Sequence, residues 1–454
     1  MKGLKKEQTL VENLIRKLGQ KDDRSIRECL GKLVAFQKTR LSSRVPSSSC
    51  EERLRGFRAW MRLNAPESFL GERFDFADGL EEGIGVLALV DLEKGQHFMS
   101  IPRKIMMTNS TARSSTTTLA ALASDPLVLK TPSLLLVLHL LFEKRNPTSF
   151  WKAYLEVLPE DPVCLFDPAV PLDDLLQGSE LLDKSRKLLH STLMQYTYLF
   201  NKFVGMKMKE IPTWDEFRWA VTIVMSRQNR IPDVDGASEL ALIPGWDFCN
   251  YRVGDEITTY FHAERDASES FTIAPVKAGS QIFIFYGPRP NSELVLFSGF
   301  MVDSNPHDSI LLNVSSLLPV EGDPISAIRS LFRTQRKLDK TELVLSLNDF
   351  ESCELVIWLR IFVMEKSDAE FALRNPSACV WSPSCEKKAL ELLLRLIDEK
   401  MSLYPSFHQD EEDLKISQDS SRLYVEKLCV RLRISEKRLL KAIYSKSQEL
   451  LNEL

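Results

Sequence analysis

Three short segments carry the residue types from which an active site could be built. Leu242–Asn250 is an apolar stretch that delivers an Asp, a Cys and an Asn to one point. The continuous apolar run Gln281–Phe285 ends on Tyr286 and Gly287, and runs of this kind are typical of strands buried on both faces. Each segment alone is equally well a core strand followed by a turn. Together with the Glu82–Gly85 turn they predict an S-adenosylmethionine site closed by a tyrosine.

That chemistry needs positioning more than it needs reactive groups. Methyl transfer from a sulfonium is an in-line displacement, so the protein contributes orientation and the exclusion of water. The amino-acid end of the cofactor carries both a carboxylate and an ammonium, and glycines let the backbone approach them closely. The glycines of the Glu82–Gly85 turn fit this need.

The composition is that of an ordinary globular protein, with 44% hydrophobic and 27% charged residues. A chain of 454 residues exceeds the size at which one core keeps growing, which predicts two or more domains. The net charge of −4 gives no bulk attraction to nucleic acid or to an anionic membrane. No apolar run is long enough to span a bilayer, and residues 1–10 lack the pattern of a signal peptide.

The eight cysteines are scattered, without a Cys-x-x-Cys pair, which predicts free thiols in a reducing compartment. Neither they nor the six histidines show metal-ligand spacing, and no His-Glu-x-x-His motif occurs, so no metal is expected. A Gly-x-Ser-x-Gly elbow and a Walker loop are also lacking. The expected location is the cytoplasm, and whether the protein also enters the nucleus stays open.

Strands and helices must position the three segments. The pattern predicts strands from Glu72 to about Thr108 and again over residues 240–315. A helix begins at Thr213, whose hydroxyl can cap it while Glu216 completes a capping box. Arg227 falls near the end of this helix. The other predicted features are a linker at Ser42–Ser49, an exposed loop at Asp410–Lys415, and helices at Ser133–Lys144, Leu355–Met364, Ala389–Leu403 and Ser435–Leu454.

Four of the chain's segments resemble the SET-domain methyltransferases, in the branch of the Rubisco large-subunit methyltransferase. These are Thr213–Pro232, Leu240–Asn250, Gln281–Gly287 and Ser298–Phe300. Within that branch the chain is most similar to the members that methylate a histidine of actin. The resemblance runs from roughly Trp60 to the C-terminus.

The resemblance implies an α+β fold: a split, β-rich SET fold with an inserted helical block, followed by an all-α substrate-binding domain. The expected domains are an N-terminal helical segment with linker at 1–60, a SET domain at 61–315 with its insert at about 115–238, and a helical domain at 320–454. The expected substrate is a protein, actin, and the expected state is a monomer that binds neither nucleic acid nor a membrane.

The resemblance also implies which residues contact S-adenosylmethionine. They are Glu82, Gly83, Ile84, Arg227, Asp247, Phe248, Cys249, Asn250, Tyr251, Ser298, Gly299 and Phe300. Arg227 offers a fixed cationic fork suited to the cofactor's carboxylate or to the polar network around it. Its alternative interpretation is a helix C-terminal cation favoured by the helix dipole.

Tyr286 and Asn229 are the expected catalytic residues. The Tyr286 hydroxyl would point into the methyl-transfer channel, although a buried tyrosine is ordinarily a hydrogen-bonded core residue. Asn229 matches the position that fixes the tautomer of a target imidazole, and its alternative is a helix C-cap. Trp246 matches a wall of the target pocket, and Arg289 matches a position near the bound peptide.

Two positions depart from the family pattern. The motif after Trp246-Asp247 normally closes on Asn-His, but here it is Asn250-Tyr251, and a cofactor-contacting arginine of the relatives falls on Cys50. Three functions therefore stay open: a histidine methyltransferase acting on actin, a lysine methyltransferase with another target, and a binding module whose cofactor site has decayed.

Overall fold

A computed structural model describes residues 2–39, 48–168, 170–315, 317, 325–348, 350–405 and 408–454. It divides into two compact units. The first comprises Met1–Cys164 and Leu188–Pro288, and the second Leu165–Lys187 and Arg289–Leu454. All but the last two residues of the predicted linker Ser42–Ser49 lie outside the described residues. The domain boundaries expected at 60, 315 and 320 stay predictions.

The strands follow one another along the chain as β1 (Phe74–Leu80), β2 (Gly83–Ala88), β3 (His97–Pro102), β4 (Met107–Thr108), β5 (Asn229–Pro232), β6 (Ser238–Leu242), β7 (Asn250–Tyr251), β8 (Thr259–His262), β9 (Ala267–Phe271), β10 (Gln281–Ile284), β11 (Ser309–Asn313) and β12 (Glu342–Ser346).

The α-helices are α1 (Lys2–Gln20), α2 (Asp23–Lys38), α3 (Cys50–Asn64), α4 (Asn109–Ser115), α5 (Thr117–Ala123), α6 (Pro126–Lys130), α7 (Pro132–Arg145), α8 (Lys152–Val157), α9 (Leu172–Leu175), α10 (Glu180–Gly205), α11 (Trp214–Arg227), α12 (Asn291–Glu293), α13 (Ser326–Gln335), α14 (Glu354–Val363), α15 (Lys366–Arg374), α16 (Pro383–Ser402), α17 (His408–Gln418) and α18 (Tyr424–Glu453).

Three small sheets make up the β part of the first unit, in the orders β1-β2-β10-β7, β3-β9-β8 and β4-β6-β5. In the first of them β10 pairs antiparallel with β2 and parallel with β7, with Phe283 opposite Asn250. Because β10 lies between β2 and β7, one sheet brings together the β1–β2 turn, the end of the Asp-Cys-Asn segment and the apolar run before Tyr286. Helices α4–α8 and α11 lie between β4 and β5 in the sequence, so the architecture is α+β with an inserted helical block, as predicted.

Helix α11 starts as the sequence predicts. The Thr213 hydroxyl accepts the Glu216 N–H and the Glu216 carboxylate accepts the Thr213 N–H, which completes the capping box. A second cap comes from α2, because Oε1 of Gln37 accepts the N–H of Trp214 at 2.9 Å. The amide nitrogen of Gln37 donates to the hydroxyl of Tyr196 at 2.7 Å. The N-terminal helices are thus joined to the start of the helix that ends on Arg227.

The second unit is mainly helical, with β11 and β12 as an antiparallel pair. The all-α expectation missed β12, whose alternating Leu343 and Leu345 are fully buried. The interpretation of Asp410–Lys415 as an exposed loop is wrong, because these residues belong to α17. Asp413 is only 1% exposed and accepts a hydrogen bond from Nε of Arg433 at 3.0 Å. An acidic run predicts a solvated segment, but the Asp413 carboxylate is buried and paired with Arg433.

A buried glutamate lies near this ion pair in α18. Glu436 accepts hydrogen bonds from the hydroxyls of Ser179 at 2.8 Å and Tyr404 at 3.0 Å. Burial raises the pKa of Glu436 from 4.5 to about 7, against the lowering effect of these hydroxyls and of Lys400. The group therefore gains a proton more readily in the folded chain than in the unfolded chain.

Candidate active site

The β1–β2 turn supplies backbone that a ligand can approach. Gly83 adopts φ +90°, a left-handed conformation that favours glycine, and a Cβ built there would meet nothing within 4 Å. The Glu82 carboxylate accepts a hydrogen bond from Nε2 of Gln281 at 3.0 Å. Glu82, Gly83 and Ile84 therefore lie beside β10, with an open backbone at the turn.

Asn250 joins this turn to the Asp-Cys-Asn segment. Its Nδ2 donates to the carbonyl of Ile84 at 3.2 Å and to Oε1 of Gln281 at 2.8 Å. A Cβ on Gly85 would lie 2.3 Å from the same Gln281 oxygen and 3.0 Å from the Asn250 nitrogen, so only glycine fits. Gln281 is a site neighbour that sequence reasoning placed in a strand without giving it a role. Its signal, a polar residue opening an apolar run, is too common to single it out.

Arg227 and Asp247 form the charged centre of the first unit. Nη1 of Arg227 donates to the backbone carbonyl of Asp247 at 2.6 Å and lies 3.4 Å from its Oδ2. The Asp247 side chain is 0% exposed, and burial raises the pKa of its carboxyl against the lowering effect of Arg227 and Tyr154. Arg227 is thus more than a helix-end cation, because its charge is engaged by the predicted cofactor segment.

A tight turn at Gly245 sets the direction of the segment that contains Asp247. Gly245 has φ +94°, and a Cβ there would lie 3.1 Å from the Cε of Met61 and 3.3 Å from Phe76. The 3₁₀ turn that follows, Trp246–Phe248, buries Phe248 against Phe57 with ring centroids 5.5 Å apart. The Arg227 guanidinium lies 5.2 Å from the Phe248 ring centroid. Packing of Phe248 therefore fixes both the turn and the cation beside it.

Tyr286 reaches the same segment from the end of β10. Its hydroxyl donates to the backbone carbonyl of Cys249 at 2.7 Å, and its ring meets that of Tyr251 edge-on at 5.2 Å. Cys249 itself is buried, and burial raises the pKa of its thiol far above the usual range, so it is no nucleophile. The hydrogen bond to Cys249 sets the direction of the remaining lone pairs of the Tyr286 oxygen.

Asn229 is the first residue of β5, where it pairs through the backbone with Ala241 of β6. The helix C-cap is Gln228, so Asn229 is not the cap residue. Its carboxamide makes no hydrogen bond within the described part of the chain. Since β6 leads directly into the Gly245 turn, the hairpin places Asn229 at the end of the sheet from which Trp246 emerges. The indole N–H of Trp246 is buried and is likewise without a hydrogen bond among the described residues.

Four predicted residues lie in the second unit. Ser298 ends a π-helix, Leu294–Ser298, and Gly299 follows with φ +77°, leading to Phe300. A π-helical turn of this kind is often found at functional positions. The carbonyl of Arg289 accepts a hydrogen bond from Nδ2 of Asn305 at 2.8 Å. The roles assigned to these four residues stay predictions, as do those of the residues in the first unit.

Tyr154 was missed altogether by sequence reasoning. It lies on α8 with 0% of its surface exposed, and its hydroxyl donates to Oδ2 of Asp247 at 2.6 Å. Nothing in the local pattern of a short apolar helix marks one tyrosine as a site residue.

Cys50, which stands where the relatives have a cofactor-contacting arginine, is the first residue of α3. Burial and the neighbouring Asp78 raise the pKa of its thiol. Nη1 of the nearby Arg53 donates a hydrogen bond to the carbonyl of Ser48 at 2.9 Å.

The part of the chain that the structure describes holds no group of three or more His, Cys, Asp or Glu side chains arranged to bind a metal. Among those same residues, no helix combines the length and apolar character needed to cross a membrane.

The chain is similar in sequence to several known proteins. Residues 326–440 match the family model described as Rubisco LSMT substrate-binding. The actin-histidine N-methyltransferase of Papio anubis is 30% identical over 408 residues, which is 82% of this chain and 65% of that protein. The Homo sapiens protein of the same name gives the same identity and coverage, and the Gallus gallus protein is 33% identical over 312 residues, 65% of this chain and 51% of that protein. The chain thus spans less than two thirds of the length of these relatives.

Solved structures show the fold. The SET domain of LSMT bound to lysine and AdoHcy matches with a TM-score of 0.67 at 19% identity, covering 88% of this chain and 92% of that one. Rubisco LSMT bound to AdoMet matches with the same TM-score, identity and coverage. The chain therefore has the fold of the LSMT SET domain.

Proposed function

Because the chain has the LSMT SET fold, a Rubisco LSMT substrate-binding domain and similarity to actin-histidine N-methyltransferases, we propose that it is an S-adenosylmethionine-dependent protein-histidine N-methyltransferase acting on actin. The observation that carries the proposal is this last similarity, which extends over most of the chain. We further propose that the enzyme binds actin as a monomer and works in the cytoplasm, with the nucleus as a second location.

The residues of the first unit suit S-adenosylmethionine. The open backbone at Gly83 admits a close ligand, and Arg227 offers a cation that donates a hydrogen bond to the Asp247 carbonyl from Nη1. When bound, the cofactor supplies an electrophilic methyl group on a sulfonium. Glu82–Ile84, Arg227 and Asp247–Tyr251 would hold it, and the role of Ser298–Phe300 stays a prediction from the resemblance.

Asn229 is proposed to orient the target. An imidazole has an ordinary pKa of about 6.5, so most of it is already neutral at pH 7 and needs no general base. It needs instead a fixed tautomer, with the lone pair on the nitrogen that is to be methylated. A carboxamide without an intramolecular partner can hydrogen-bond the other ring nitrogen. Asn229 has this property within the described residues, and Trp246 would flank the ring.

Tyr286 is proposed to line the channel of methyl transfer. Its hydroxyl donates its proton to the Cys249 carbonyl, so the lone pairs of its oxygen would be the acceptors that it offers to the channel. The ring of Tyr251 lies edge-on to the Tyr286 ring, with the centroids 5.2 Å apart. A group that acts only by position in this way supports the transition state more than the ground state.

One experiment separates the open functions. Purified protein is incubated with isotopically labelled S-adenosylmethionine and actin, and the modified side chain is identified by tandem mass spectrometry. Methylhistidine is the expected product, and methyllysine would instead assign a lysine methyltransferase. Binding is measured in parallel, because a ligand of the folded state at about a hundred times its Kd adds about 2.7 kcal/mol of stability. No shift in the melting temperature and no calorimetric heat would identify a decayed binding module.

A further inference from the structure

Tyr154 is a buried hydroxyl donor at the centre of the first unit, and the function proposed above gives it no task. We propose that Tyr154 is a positioning residue, which keeps one edge of the Arg227 guanidinium available for the carboxylate at the amino-acid end of the cofactor. This inference rests on the proposed function, since it concerns how the same site holds its ligand.

The contacts at Asp247 define the arrangement. Its Oδ2 accepts the Tyr154 hydroxyl at 2.6 Å and lies 3.4 Å from Nη1 of Arg227. The same Nη1 donates to the Asp247 backbone carbonyl at 2.6 Å. One guanidinium nitrogen therefore lies beside both the backbone carbonyl and Oδ2 of Asp247, while the buried Oδ1 has no hydrogen bond among the described residues. Nη2 and Nε of Arg227 make no hydrogen bond within the described part of the chain.

The Arg227 side chain is 17% exposed, so part of it is accessible to a ligand. A guanidinium edge with two parallel N–H donors matches a carboxylate in bidentate geometry. The Asp247 carboxylate competes for the same donors, because a buried ionised group needs all the hydrogen bonds it can obtain.

Tyr154 weakens that competition. By donating to Oδ2 it occupies one of the two carboxylate oxygens, and a two-nitrogen pair between Arg227 and Asp247 would need both. Burial and then the neighbouring Asp247 raise the pKa of Tyr154 well above its usual value, so it stays a proton donor at any physiological pH. Its hydroxyl thus acts on the ligand through Asp247 and Arg227, without touching the ligand.

Tyr154→Phe isolates this role, because the ring packing is kept. The Tyr154 ring lies among Phe57 and Phe248, at centroid distances of 6.2 and 6.3 Å, and phenylalanine fills the same space. A matched control is Tyr196→Phe. Tyr196 is also buried in the first unit, and its hydroxyl donates to the carbonyl of Pro212 at 3.3 Å, where no role in ligand binding is proposed.

The test uses two ligands that differ at the amino-acid end. S-adenosylhomocysteine carries the carboxylate and the ammonium, whereas methylthioadenosine shares the adenosine and the thioether but lacks both. Titration calorimetry on the full chain should give, for Tyr154→Phe, a Kd for S-adenosylhomocysteine raised roughly three- to 30-fold, the range for mutations that act through a neighbour. The Kd for methylthioadenosine should stay within about twofold of wild type.

Tyr196→Phe should leave both ligand affinities unchanged. In an Arg227→Ala background, Tyr154→Phe should have no further effect on S-adenosylhomocysteine, since the residue through which it acts is absent. Replacement of Tyr154 by 4-aminophenylalanine, which retains a donor, should restore the wild-type preference. If the phenylalanine variant does not fold, the 4-aminophenylalanine variant decides. A wild-type ratio of its two Kd values, for S-adenosylhomocysteine and methylthioadenosine, supports the proposal, and loss of the preference for S-adenosylhomocysteine overturns it.

Equal losses for both ligands, or no loss for either, would make Tyr154 a packing residue and overturn the inference while leaving the proposed function intact. Failure of the wild-type chain to bind S-adenosylhomocysteine would overturn the proposed function, and the inference would fall with it.

Discussion

Replacing Asn229 by alanine should separate chemistry from folding. The carboxamide makes no hydrogen bond within the described residues, and the backbone pairing of Asn229 with Ala241 does not involve it. Loss of the amide therefore costs the fold little, within about 0.5 kcal/mol for a partly exposed position of this kind. If Asn229 only stabilised the start of β5, stability would be the property that changes.

The expected loss of activity is larger. In the proposed complex the amide holds one nitrogen of a neutral imidazole, and an unmade hydrogen bond in a buried site costs about 1–3 kcal/mol. If this cost is paid in the transition state, kcat/KM for histidine falls roughly five- to 150-fold. A lysine at the same peptide position has no second ring nitrogen to orient. Any activity on lysine should fall much less, so the ratio of histidine to lysine methylation decreases.

The assay compares two actin peptides, with histidine or lysine at the target position, by mass spectrometry under kcat/KM conditions. Melting temperatures are measured on the same preparations. Arg230→Ala, at the exposed next residue of β5, is the control for a general effect on the strand. Equal losses on both peptides, or a melting temperature that falls in step with activity, would make Asn229 a structural residue. A wild-type preference for lysine would refute the histidine assignment itself.

Three further outcomes follow from the structure. Tyr286→Phe removes the donor to the Cys249 carbonyl and should lower kcat by about tenfold or more in single-turnover assays, while the Kd for S-adenosylhomocysteine changes little. Gly85→Ala forces a Cβ to 2.3 Å from Gln281 and should destabilise the chain by about 1–3 kcal/mol in urea. The pKa of Glu436 is raised from 4.5 to about 7 on folding, so wild-type stability should fall as pH rises through that window. Glu436→Gln should flatten the profile and melt above wild type at pH 8, and parallel curves would contradict the buried proton.

The sequence predicted best those features whose cause is local. The capping box at the start of α11 requires two residues three positions apart, and it forms as expected between Thr213 and Glu216. The residue pattern also predicted strand from residue 240 onwards, and Leu240–Leu242 of β6 are at most 7% exposed. Spacing and side-chain type carry this information directly, so neither inference needed a partner from elsewhere in the chain.

The interpretations that failed depended on distant partners. Asp410–Lys415 is acidic enough to suggest a solvated loop, yet the carboxylate of Asp413 is buried because Arg433, 20 residues later, pairs with it. Strand β12 is too short for its alternation to predict a strand, and the burial of Leu343 and Leu345 becomes evident only from the core that they pack against. A charged residue is nearly always exposed unless it is paired, and the pattern of one segment cannot reveal the pair.

The same reason explains why the predicted site lacked its supporting residues. Arg227 stands out in the sequence because it ends a recognisable helix, and Asp247 because it lies in the Leu242–Asn250 segment that resembles the family. Tyr154, which donates to Asp247 across 93 positions, does not. A site residue must present its chemistry outwards, and that need restricts the local sequence around it. A positioning residue has only to reach one atom from inside the core, so many local sequences serve equally well, and the three-dimensional contact is its distinguishing mark.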